Sequence, residues 1–168
     1  VDAPDHPDGL ALLPAHPNLV VTRTFSKIHG LAALRVGYAV SAPEIADLLN
    51  RLRQPFNVNA LAQAAAVAAL GDEAYVAESR RLNDEGLALF SEAFAARQLP
   101  FIPSSANFVT VRVGDAAAVY DALLREGVIV RPVAGYGLPE YLRVSVGLPA
   151  ENRRFLDALD RVLGIRAA

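Results

Sequence analysis

The sequence contains no cysteine, so disulfides and thiolate metal sites are excluded. Its three histidines, His6, His16 and His29, are far apart and lack metal-ligand spacing. No apolar run approaches the ~20 residues that a membrane-spanning helix needs. No signal-peptide pattern opens the chain, so a soluble, cytoplasmic protein is the default expectation. The net charge is −2 with both signs dispersed, which argues against a nucleic-acid partner and against a membrane-binding basic stripe. Methionine is absent as well, even at position 1, and the chain opens on Val1-Asp2. The expectation is therefore a piece of a longer protein.

Lysine is nearly absent. Of the 16 basic residues only Lys27 is a lysine. Arginine replaces lysine readily on a surface, but its guanidinium stays protonated and cannot serve as a nucleophilic amine. The surviving lysine is thus a candidate for covalent chemistry, the alternative being an ordinary surface residue left by chance. The rest of the composition is that of a packed protein. Of the 168 residues, 53% are hydrophobic, enough for one domain or for a small domain plus part of another.

Leu10 to Leu13 suggests a short helical turn, and the β-branched run from Leu19 to Phe25 a buried strand. Leu34 to Val40 reads as a second strand, with Arg35 at its start and Tyr38 in the core. Ser41 and Glu44 have capping-box spacing around Pro43, opening a helix to about Arg53. Asn57 and Asn59 are expected to cap an alanine-rich helix that ends at Gly71, and Asp72 to cap a longer helix to about Arg97. Pro100 and Pro103 bound a turn. Strands follow at 107–113, 128–131 and 142–146, with helices at 116–126 and 149–163. The second half is thus a compact α+β unit of three strands covered by helices. Two strands alone in the first half would leave exposed edges, which again suggests an incomplete chain.

The segment Thr22-Arg-Thr-Phe-Ser-Lys-Ile-His-Gly-Leu-Ala-Ala-Leu-Arg-Val-Gly-Tyr38 carries the chemistry. A strand end presents an amine, Lys27. Thr24 and Ser26 place hydroxyls on one face of the same strand, and Arg35 follows eight residues after the lysine. Amine, hydroxyls and guanidinium together suit an aldehyde that carries a phosphate. This stretch resembles the pyridoxal-phosphate (PLP) aminotransferases of fold type I. The resemblance implies that Lys27 holds the cofactor covalently and that Thr24, Ser26 and Arg35 bind its phosphate. It also implies an α/β fold: residues 1–57 as a remnant of the large PLP-binding domain, and residues 58–168 as a small C-terminal α+β domain entered through long helices. Asp2 is the candidate partner of the pyridinium nitrogen. The family places a tyrosine three residues after that aspartate, whereas this sequence has Asp5.

Three further segments resemble the histidinol-phosphate aminotransferases within that family: Gln54-Pro-Phe-Asn-Val-Asn59, Gly127-Val-Ile-Val-Arg-Pro132 and Tyr141-Leu-Arg-Val-Ser-Val-Gly147. The resemblance implies that Arg131 and Arg143 bind the substrate's phosphate, that the substrates are small molecules, and that the full-length enzyme is a homodimer. His29 is expected to be incidental to the chemistry, and Asn107 to order a turn. Two alternatives remain at this point. One is a PLP-dependent decarboxylase of a phosphorylated amino acid such as threonine phosphate. The other is a non-catalytic folding or dimerisation unit.

Overall fold

The computed structural model describes residues 7–165, and they form two compact units that divide at Ser79 and Arg80, inside a helix. In the first unit a short helix α1 (Gly9–Leu12) is capped by Asp8, whose Oδ1 accepts from the Leu10 N–H at 3.0 Å. Strand β1 (Val20–Thr24) then pairs antiparallel with β2 (Gly37–Ser41), with Val21 opposite Val40 and Thr24 opposite Gly37. Gly37 has a steric reason. A Cβ there would sit 2.6 Å from the Arg23 carbonyl oxygen, so only glycine lets the strands approach this closely.

Helix α2 (Pro43–Leu52) starts one residue later than the Ser41 capping box requires. Its N-cap is Ala42 with no side-chain cap, and the Ser41 hydroxyl donates to the Ala42 carbonyl instead. Pro43 still opens the helix, since its missing N–H needs no partner there. Asn59 caps α3 (Ala60–Leu70) by accepting from Ala62 N–H at 2.8 Å. Asn57 does not cap. Its Oδ1 accepts from Arg53 Nη1. Phe25 and Val36 pack against Ala62 and Ala66, one helical turn apart on α3, to make a small core. Around it Leu52, Phe56, Leu61 and Val67 stay exposed, Phe56 at 95%.

Helix α4 (Glu73–Ala96) is capped by Asp72 and carries the chain into the second unit. There a four-stranded antiparallel sheet has the order β3-β4-β6-β5, from β3 (Phe101–Ile102), β4 (Phe108–Arg112), β5 (Arg131–Pro132) and β6 (Tyr141–Ser145). The sequence suggested three strands. The fourth is Phe101-Ile102, which pairs with Val111 and Thr110 between the two prolines. The strand expected at 128–131 shrinks to Arg131–Pro132, because Val128 is used elsewhere. Helix α5 (Ala116–Arg125) ends in a Schellman motif in which Gly127 takes φ 72°. The Val128 N–H donates to Leu123 O at 2.9 Å, and the Gly127 N–H to Leu124 O at 3.0 Å.

Val109, Val111, Leu142 and Val144 point to one sheet face, where they meet Phe90 and Phe94 of α4, Val119 and Leu123 of α5, and Phe155, Leu156 and Leu159 of α6 (Pro149–Leu163). Phe155 meets Phe90 edge-on, with centroids 5.6 Å apart. Burying each such side chain stabilises the fold by about 1.5–3 kcal/mol. At the core's margin, Arg97 grips Asp160 through Nε at 2.6 Å and Nη2 at 2.5 Å, and this hydrogen bonding raises the pKa of Arg97 above its ordinary value. The alternate residues Phe108, Thr110, Arg112, Tyr141, Arg143 and Ser145 face the other way, and none of them is fully buried.

Candidate functional site

In the first unit the candidate cofactor residues gather where β1 ends. Lys27 is exposed and lies in the bend that follows Thr24. The bend closes on itself: the Gly30 N–H donates to Lys27 O at 2.9 Å, and the Leu31 N–H to Phe25 O at 2.9 Å. Gly30 takes φ 68°, and the Tyr75 hydroxyl lies 3.0 Å from where its Cβ would be. The Thr24 Oγ1 accepts from the Ser26 N–H at 3.1 Å, so the two hydroxyl residues are tied into one turn.

Arg35 reaches the same turn. Its Nη1 donates to Ser26 Oγ at 3.3 Å and to Ala32 O at 2.6 Å. It does not begin the returning strand, as its spacing suggested. It sits ahead of β2 in the left-handed region, φ 50° and ψ 51°, closing the 3-10 turn Ala32–Leu34. A non-glycine residue pays of order 1 kcal/mol for that conformation. The strain is held in place by the guanidinium's contacts to Ala32 and Ser26. Among the described residues only Nη1 of Arg35 finds protein acceptors, which leaves its other N–H groups for an anion. Ser26 and Arg35 are therefore brought together, with Thr24 beside them. Asp2 lies outside the described residues.

His29 packs its ring 5.0 Å from that of Phe25, and its Nδ1 is buried with no partner among the described residues. Tyr38, expected in the core, is 48% exposed because β2 turns that face outward, although its ring stays within 6.1 Å of Phe25. A cleft of 790 Å³ opens between Phe25, Tyr38, Arg53, Phe56 and Val67. Neither Lys27 nor Arg35 lines it. Its lining is mixed, with Arg53, Asn57 and Gln63 among apolar side chains.

In the second unit Arg131 and Arg143 are register partners across β5 and β6. Both project from the face away from the helices, since their neighbours Leu142 and Val144 are buried on the other side. Like charges directly opposed on antiparallel strands destabilise the pair. Arg112, on the same face, is neutralised by Glu140 at 2.9 Å to each carboxylate oxygen. Arg131 and Arg143 have no carboxylate partner among the described residues. Two arginines without carboxylate partners thus stand in register on one sheet face, a charge pattern that suits a dianion. The sequence reading overlooked Phe108, whose ring centroid lies 4.8 Å from Arg143 Cζ. Period-two alternation places it on the arginine face, but only the β4–β6 register brings it to Arg143.

The sequence matches the family described as "Aminotransferase class I and II" over residues 2–159, so the chain belongs to that family. It is 65% identical over 158 residues to histidinol-phosphate aminotransferase 2 of Pseudomonas aeruginosa, a match covering 94% of this chain and 43% of that protein. The chain thus spans less than half the length of the curated relatives it matches. Among solved structures, histidinol-phosphate aminotransferase from Sinorhizobium meliloti, in complex with pyridoxal-5'-phosphate, superposes with a TM-score of 0.80. It has 34% identity, over 88% of this chain and 42% of that one. L-threonine-O-3-phosphate decarboxylase from Porphyromonas gingivalis gives 0.76 at 27% identity, over 92% and 49% of the two chains. The α/β architecture is that of part of a PLP fold type I aminotransferase.

Proposed function

We propose that this chain is part of a PLP-dependent aminotransferase of histidine biosynthesis, exchanging the amino group between histidinol phosphate/imidazole acetol phosphate and glutamate/2-oxoglutarate. The observation that carries this is the turn after β1, where the sole lysine follows a serine hydrogen-bonded to an arginine held in a left-handed conformation. That donor set fits PLP. The Ser26 and Thr24 hydroxyls and the Arg35 guanidinium would hold its phosphate, Lys27 its aldehyde carbon, and Asp2 the ring nitrogen. When bound, the cofactor supplies an electron sink for the carbon that bears the amine. Lys27 holds the cofactor at rest. As a free amine, Lys27 Nζ would take the proton from the substrate carbon that bears the amino group and would hold it as an ammonium for delivery at a different carbon, the proton shift that transamination requires. Arg131 and Arg143 grip the substrate's phosphate dianion.

The division into a cofactor-binding part, residues 1–57, and a small domain, residues 58–168, belongs to the same reading. Ala62 and Ala66 of α3 pack in the first unit, so the entering helices are rooted there. A cytoplasmic homodimer without nucleic-acid or membrane partners completes the proposal. Among the described residues no helix is long and apolar enough to cross a membrane.

The likeness to the threonine-phosphate decarboxylase favours one second reading, decarboxylation of a phosphorylated amino acid on the same scaffold. The PLP-loaded full-length protein, given histidinol phosphate and 2-oxoglutarate, should form glutamate with no CO2. Release of CO2 from threonine phosphate without keto-acid exchange would replace the first reading with the second. If the chain is only a folding unit, adding PLP to it produces no new absorbance band.

A further inference from the structure

We propose that Phe108 is a positioning residue for Arg143, holding its guanidinium ready for the substrate's phosphate; the inference rests on the phosphate-binding reading of Arg131 and Arg143. Three features of the second unit carry it. First, Arg143 faces Arg131 in register on β5, and Thr110 in register on β4. Its guanidinium, however, lies over the ring of Phe108, whose register partner is Ser145. Arg143 therefore leans diagonally along the sheet, off the axis of the like-charged pair and onto the electron-rich face of an aromatic ring.

Second, the contact uses up no hydrogen-bond donor. Arg112, on the same face, spends its guanidinium on Glu140 and is neutralised by it. A ring holds a cation in place while leaving its charge and its N–H groups available to a ligand. Third, the side chain is oriented by atom. The Nε of Arg143 is buried without a partner, whereas its Nη groups, which have no protein acceptor either, are not buried among the described residues. The inner edge of the guanidinium is turned into the sheet and the two Nη groups are left for an anion.

Phe108 lies outside the buried core cluster, so replacing it leaves the packing under the sheet intact. The test is NMR of the ¹⁵N-labelled full chain. The Nε–H resonance of Arg143 is observed while inorganic phosphate is titrated into wild type, Phe108→Leu and Phe108→Tyr; Arg143→Gln, which lacks that resonance and so assigns it, is followed instead at the Nε–H of Arg131. The ring shifts the wild-type resonance, and phosphate perturbs it. Phe108→Leu should move the resonance towards that of a free arginine side chain and weaken phosphate binding about fivefold, the size of a modest cation–π contact. Phe108→Tyr, which keeps the ring face, should restore both. Phe108→Met repeats the experiment if the leucine variant fails to give a dispersed spectrum. Wild-type phosphate affinity in the leucine or methionine variant overturns the role of Phe108 while leaving the phosphate reading standing. Undiminished binding in Arg143→Gln, or none in wild type, overturns the phosphate reading and this inference with it.

Discussion

Asn152 is the only fully buried polar residue among the described residues, at 3% exposure, and the peptide after β6 hangs on it. Its Oδ1 accepts from the Gly147 N–H at 2.8 Å, and its Nδ2 donates to Gly147 O at 3.0 Å. One side chain thus satisfies both polar groups of a residue just beyond Arg143's strand, with Gly86 of α4 packed against it. Asn152→Ala removes two hydrogen bonds, each worth about 1 kcal/mol net, and leaves an N–H and a C=O of the half-buried Gly147 without a partner, at up to about 1–3 kcal/mol each where no water replaces the amide. With partial hydration of the space left behind, the expected loss is about 2–4 kcal/mol. Urea denaturation of the chain, followed by circular dichroism, measures it as a lower midpoint at unchanged slope. Asn152→Asp keeps an acceptor for the Gly147 N–H but cannot donate to Gly147 O when ionised, so it should not restore stability at neutral pH. A loss below about 0.5 kcal/mol in the alanine variant, the level of an ordinary surface change, would refute the reasoning.

Gly86→Ala places a Cβ 2.3 Å from Val146 Cγ1 and 3.0 Å from Asn152 Nδ2. Overpacking of about 1–3 kcal/mol should outweigh the ~1 kcal/mol that alanine adds to a helix, so the melting temperature falls rather than rises. Arg35→Gly relieves the left-handed backbone while deleting the guanidinium. Chain stability should change by no more than about 1 kcal/mol, yet PLP affinity, followed by absorbance titration of the full-length protein, should fall at least tenfold. Retained affinity would remove Arg35 from the phosphate site.

Helix limits were largely legible because the caps are written in the sequence. Asn59, Asp72, Gly127 and Gly164 sit where a side-chain oxygen or a positive φ is required. The Ser41–Glu44 pair shows the limit of that logic. The same spacing occurs without the box forming, since Pro43 fixes the first helical position and makes Ala42 the cap. Strand pairing was less legible. Phe101-Ile102 is too short to show alternation, and Val128 is claimed by the end of α5. The candidate cofactor turn stood out through residue chemistry, one lysine followed by an arginine at a fixed distance. The left-handed backbone of Arg35, the opposition of Arg131 to Arg143 and the ring of Phe108 under the latter depend on tertiary register. That register is set by strand pairing, across 12 residues for Arg131 and Arg143 and 35 for Phe108 and Arg143, and leaves no local mark.

The most direct test of Lys27 is chemical. The full-length protein is loaded with PLP, reduced with borohydride and digested, and the peptide bearing the pyridoxyl label is sequenced. The label should fall on the peptide containing Thr24-Phe-Ser-Lys27, and Lys27→Arg should abolish it without loss of fold. A label on any other lysine of the full-length protein, or a labelled arginine variant, would contradict the account.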